Sequence, residues 1–292
     1  MKKILFSSAF LLLIGVSFAQ IGGGGATYQR GQSRSDAALA AERAKRSMFK
    51  NEDGRYFEAS VLLNIEADQF VAVFGINEEG KTLDEARSKM DATVAAFRTA
   101  LKPLNIRDSD TYLDFVSQNR IYGFVSISDS LVKESVVGFE VKKTFAIKLK
   151  DKNLIEKVTE AASTAGVFDL VKVDYVVSDL EAVHKKLYAE AVKLIKDKRA
   201  EQADAFGLKG EAFLQTYPAQ YSTYYPVDLY NSYTAEESED LYGYRQNQNV
   251  QRARKPKTFY FDGLTGQDFD VVMNPALLEP TVQCTIYLRV KY

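Results

Sequence analysis

The chain predicts an α+β fold: two successive strand-helix-strand units forming a mostly antiparallel sheet with helices packed on one face, plus a long C-terminal helix and a closing strand. Three observations carry this. Between Phe139 and Leu149 apolar residues alternate with polar ones at the period of a half-buried strand. Leu180, Val183, Leu187, Ala191, Leu194 and Ile195 recur at helical spacing, which gives a long amphipathic helix. Near the C-terminus, Val282, Cys284, Ile286, Leu288 and Val290 share one side of a strand, with Gln283, Thr285, Tyr287, Arg289 and Lys291 on the other.

Residues 1–19 read as a secretory signal peptide, with Lys2 and Lys3 before an apolar run from Ile4 to Val16 and then Ser17-Phe18-Ala19. The run is too short to span a bilayer of ~30 Å as a helix, and no later segment of sufficient length lacks charges. The expected product is a mature chain starting at Gln20, without a transmembrane span, secreted across the inner membrane and periplasmic or peripherally associated with the cell envelope. Residues 20–58 read as a flexible tether that contains a short helix, Ala37 to Phe49, packed loosely or used against a partner.

The main domain is expected over residues 59–292. Ala59 to Ile76 reads as one bent or two short strands, interrupted at Glu66-Ala67-Asp68. Thr82 is placed to cap a helix, with Glu85 three positions on and Leu83, Ala86, Met90, Val94, Phe97 and Leu101 on one face; Pro103 ends it. Tyr112 to Val116 and Ile121 to Ile127 are short strand candidates, with Ser128 to Ser130 as turn material. Lys143 interrupts the apolar side of the Phe139–Leu149 strand, where an edge or bulge is expected. Leu154 to Ala165 makes a helix that Gly166 can terminate in a left-handed conformation. Val171 to Val177 is the next strand, and Ser178 or Asp179 can cap the long helix after it.

Composition excludes several function classes. The 38 Lys and Arg nearly balance the 39 Asp and Glu for a net charge of −1, or about −3 once Lys2 and Lys3 leave, so no field favours nucleic acid. A single cysteine cannot close an intrachain disulfide. His184 is the only histidine, so any triad, Cys-His pair or histidine metal site would have to use it. No catalytic residue, cofactor or metal ligand is assigned. Cys284 reads as an inert core thiol, and the loop carrying Asp262, Asp268 and Asp270 lacks EF-hand spacing and reads as turn chemistry.

The order of motifs from Ala59 to Gly210, resumed at Leu278 to Tyr292, resembles the SIMPL domain of bacterial cell-envelope proteins. Asp68 precedes the first strand-helix passage, Gly138-Phe139 opens the central strand, Gly207 and Gly210 form a Gly-x-x-Gly turn, and Glu279-Pro280 precedes the closing strand. Ala67 stands where the pattern has proline, and a tyrosine-rich insert occupies about residues 211–275. The resemblance implies an envelope protein with no shared catalytic residues, and homo-oligomers among its relatives.

The insert is the candidate binding surface, through Tyr217, Tyr221, Tyr224, Tyr225, Tyr230, Tyr233, Tyr242 and Tyr244, since tyrosine joins a broad apolar face to a hydroxyl at low entropic cost. The alternative is that these rings cover the sheet. The expected function is a non-enzymatic binding or self-assembling module, with a homo-oligomer or an envelope protein or glycan as partner. A carboxylate-dependent hydrolase or small-ligand binder acting on envelope glycans is the second reading. Converging acids in a deep pocket would mark the latter, and a broad apolar patch the former.

Overall fold

The computed structural model describes residues 34–47, 56–128, 131–207, 215–233, 257–275 and 279–291. By contacts the chain divides into a compact unit of residues 32–231 and 259–292 and a second of residues 1–31 and 232–258. Nearly all described residues belong to the first. Residues 1–19, expected as a signal peptide, and Tyr242 and Tyr244 lie outside the described residues.

Among the described residues the helices are α1 (Arg34–Ser47), α2 (Leu83–Leu101), α3 (Leu154–Thr164) and α4 (Leu180–Phe206). The strands are β1 (Tyr56–Ile65), β2 (Gln69–Gly80), β3 (Thr111–Ser128), β4 (Leu131–Leu149), β5 (Asp169–Val176), β6 (Gln215–Thr216), β7 (Gln220–Tyr224), β8 (Tyr230–Tyr233), β9 (Thr258–Phe261), β10 (Val271–Met273) and β11 (Val282–Lys291). The fold is α+β, and the expected single sheet resolves, among the described residues, into two main sheets and the separate two-stranded pair β8–β9. One sheet runs β10-β1-β11-β6 with β7 also on β11; the other runs β3-β4-β2-β5. Apart from the parallel pair β1–β10, every pairing within these two sheets is antiparallel.

The break at Glu66-Ala67-Asp68 is what separates the sheets, because β1 enters one and β2 the other. Asp68 fixes this crossing: its carboxylate accepts from the Ser178 amide at 2.9 Å and hydroxyl at 2.7 Å, and its own amide donates to the Val176 carbonyl. The Ser178 hydroxyl and amide hold the Asp68 carboxyl below its ordinary range. A residue of the crossing between the two sheets thereby locks the entry to α4.

In the β3-β4-β2-β5 sheet, α2 and α3 cover one face. Phe74, Phe97 and Phe145 meet at its centre, with ring centroids 5.4 and 5.0 Å apart along that chain. All three are fully buried, so Phe97→Ala would cost about 3–5 kcal/mol in lost contacts and cavity. The Thr82 hydroxyl accepts from the Glu85 amide, the N-cap that the sequence predicts; the Glu85 carboxylate reaches back to the Lys81 amide rather than to that of Thr82. Gly166 adopts φ +80°, which lets the Val167 amide return to the Ala162 carbonyl and close α3. The two short candidates between Tyr112 and Ile127 join into one 18-residue strand. A bulge at Val116 stands opposite Lys143, where the pattern broke.

In the other sheet, β1 and β11 pair along ten residues, and α4 packs Leu187, Ala191 and Ile195 onto Phe57, Val61, Cys284 and Ile286. Asp179 is the α4 cap, accepting from the Ala182 amide at 2.8 Å. The polar side of β11 is buried as well: Gln283, Thr285, Tyr287 and Arg289 are all inaccessible. What covers it is partly α1. Only Ala38 and Leu39 of α1 join the apolar cluster there, and the rest of its docking is polar.

Candidate interaction surface

Among the described residues, most of the exposed large apolar side chains lie on the β3–β4 hairpin. β2 ends at Gly80 opposite Phe139, so residues 131–138 of β4 pair with β3 alone and the hairpin continues past the sheet as a two-stranded ribbon. A ribbon of two strands is marginal in water unless something packs on it. The register sorts its side chains. Tyr122 pairs with Val136, Phe124 with Glu134 and Ser126 with Val132, which puts Tyr122, Phe124, Val132 and Val136 on one face at 43% to 75% exposure. Val125 pairs with Lys133 on the opposite face. Val137, the extra residue of a bulge, joins that face, because a Cβ on Gly123 would meet its methyls at 3.0 Å. Val125 and Val137 are about half exposed, so both faces are apolar and open.

Sequence reasoning passed over this ribbon, although its signal is legible. Apolar residues fall on both parities, as Ile121-Tyr122 and Phe124-Val125, and a strand with that pattern either lies inside a protein or waits for a cover. At the sheet's other edge, Phe168 and Val171 are also exposed.

The predicted tyrosines are elsewhere and mostly engaged. The insert is not a loop over a finished sheet, since β6, β7 and β10 are strands of that sheet. The Tyr217 amide donates to the Arg289 carbonyl, and its ring lies 6.3 Å from that of Tyr56, with the Arg289 guanidinium 3.6 Å over Tyr56. Tyr221 stacks on His184 at 4.3 Å. The Tyr224 hydroxyl donates to Glu42 at 2.7 Å, and burial with this carboxylate pushes its pKa up. Tyr225 packs against the α4 cluster, Tyr230 lies edge-on to Phe261, and Tyr233 ends β8 half-buried. Six of the eight are thus placed, half-buried, and the structure does not gather them into one exposed patch.

Around α1 runs a polar network, buried at Glu42 and exposed at Arg43. Glu42 accepts through Oε1 from Lys45 at 2.8 Å, Tyr224 at 2.7 Å and Thr285 at 3.0 Å, and through Oε2 from Lys45 at 3.0 Å, so its carboxylate ties α1 to β7 and β11. Arg43 forks onto Asp268 at 2.8 and 3.0 Å and draws that carboxyl below its ordinary range, while Arg46 donates to the Ser60 hydroxyl and the Asp268 carbonyl. Burial pushes Asp270 up, yet Lys198 at 2.7 Å and the Ser60 amide and hydroxyl outweigh it and leave the carboxyl below its ordinary range. Asp262 accepts from Asn231. The three aspartates of the loop serve three different partners, and no group of metal-ligating side chains converges among the described residues.

Two clefts flank the C-terminal end of β4. One, of about 390 Å³, is lined by Glu66, Phe70, Asp151, Tyr175 and Glu279 together with Lys150 and Lys152, and Lys152 is ion-paired to Glu279. Burial raises the Tyr175 hydroxyl to about 12. The other, of about 380 Å³, holds Arg107, Asp110 and Lys148, with Arg107 drawing Asp110 down. Every described carboxylate with a shifted pKa moves downward, the direction opposite to that of a general acid. Cys284 is buried, its thiol pushed up by burial and 3.7 Å from the Thr223 hydroxyl. A buried, protonated thiol is not an activated nucleophile.

With this geometry in place, the sequence profile described as SIMPL, protein of unknown function (DUF541), matches residues 58–256. The chain belongs to the SIMPL family. No curated protein matches it. The match runs through most of the insert, further than the motif resemblance to Gly210, and ends before β11. The motif residues on which the SIMPL resemblance rests have structural tasks here. Asp68 locks the crossing between sheets, a Cβ on Gly138 would press on the Gly80 carbonyl at 3.0 Å, Gly207 ends α4 at φ +64°, and Glu279 binds Lys152.

Proposed function

We propose that this SIMPL protein is a non-enzymatic binding or self-assembling module of the cell envelope, exported by its N-terminal segment, and that its contact surface is the β3–β4 ribbon rather than the tyrosines of the insert. The observation that carries this reading is the two-faced apolar ribbon standing beyond the sheet. Surfaces of that kind are costly to leave in water and mark association sites. The charge balance argues for a protein partner over a nucleic acid.

A trimmed chain tests it. Arg120 and Phe139 are cross-strand partners, so residues 121–138 can be replaced by an Asn-Gly turn that closes the hairpin at that pair. The trimmed protein should keep the thermal transition of the full chain and lose its envelope complexes on sedimentation. Retention of every complex by a folded, trimmed chain refutes the reading.

A further inference from the structure

We infer that the ribbon stacks with ribbons of neighbouring copies of this chain, head to tail, one neighbour on each face, giving assemblies of more than two chains. This rests on the reading above that the ribbon is the contact surface, and adds who the partner is and how it sits. The argument begins from the two faces. A single partner packed on one face leaves the other in water, so either Tyr122, Phe124, Val132 and Val136 or Val125 and Val137 would remain exposed. Only a partner on each side buries both.

The occupant follows from charge. Glu134 lies on the face of Tyr122 and Phe124, and Lys133 on the face of Val125. Face-to-like-face stacking near the tip would oppose Glu134 to Glu134 and Lys133 to Lys133. Stacking the Phe124 face of one copy on the Val125 face of the next instead opposes Glu134 to Lys133. Arg120, which shares the Glu134 face, sits at the ribbon's root opposite Phe139. The apolar side chains supply the affinity and the unlike charges set the direction. Because the two surfaces differ, the contact is heterologous and does not stop at two.

The test uses two double variants of the full chain, each confined to one face: Phe124→Ser with Val136→Ser, and Val125→Ser with Val137→Ser. Native mass should find the unaltered protein in species above two chains. Each variant alone should be monomeric, since every head-to-tail contact needs both faces. Mixed in equal amounts they should form a species of two chains and no larger, because each supplies the face the other lacks. An unchanged thermal transition for both variants shows that the fold is retained. If each variant alone stops at two chains, like faces pair and the head-to-tail arrangement is wrong. If the unaltered protein is monomeric at all concentrations while trimming residues 121–138 still abolishes an envelope complex, the ribbon binds another protein and the self-stacking inference fails alone. If trimming changes nothing, the underlying reading fails with it.

Discussion

Cys284 and Asp270 show how single residues serve the fold. Cys284 points into the cluster under α4 with no accessible surface, and burial keeps its thiol protonated. Cys284→Ala should therefore cost on the order of 1 kcal/mol of stability in lost contacts and cavity, with association unchanged. Reaction of the native protein with a thiol reagent should proceed only at the rate of unfolding; fast labelling would mean the site is open. Asp270 makes a pH prediction. Its carboxyl lies below the ordinary range when folded, so it stabilises the fold above the unfolded pKa of about 4 and that stabilisation is lost as pH falls below it. Asp270→Asn should lower stability at neutral pH and flatten its decline in acid, as read by denaturant midpoints at pH 7 and at about pH 3. A variant with an unchanged acid slope would assign that slope to other carboxylates.

The elements were legible where a period or a cap stood alone. α2, α3 and α4 each carry a single apolar stripe and a definite start or stop, at Thr82, Gly166 and Asp179, and these were readable from local chemistry. β11 was legible as a strand but not as a central one, because its polar side is buried by residues more than 200 positions away in α1, and such pairing leaves no local trace. The insert misled for the same reason. Five-residue β7 and three-residue β10 are too short to announce themselves, and their partners are β11 and β1. This changes what removing the insert should do. Replacing residues 217–273 by a short loop costs little in closure entropy, but it strips β7 and β10 from their sheet along with Tyr224 and Leu229. We expect that protein to lose its cooperative thermal transition. A shortened chain that still melts cooperatively would show that β1, β11 and α4 suffice.

At the scale of the whole molecule, two features bear on function: the N-terminal segment and the ribbon. The first predicts that protein extracted from the envelope has the intact mass of a chain beginning at Gln20, and an unprocessed cytoplasmic chain would contradict it. The second is the central claim, that the β3–β4 ribbon is where this SIMPL protein meets its partner. It is tested most directly on the unaltered chain by amide hydrogen exchange across a dilution series. An unaccompanied two-stranded ribbon opens readily, whereas one packed between neighbours does not. Amides of residues 121–138 should be protected at high concentration and lose that protection on dilution, while those of α2 and β2 stay protected throughout. Ribbon amides that exchange at one rate at every concentration, in a preparation that nonetheless contains assembled species, would contradict the account.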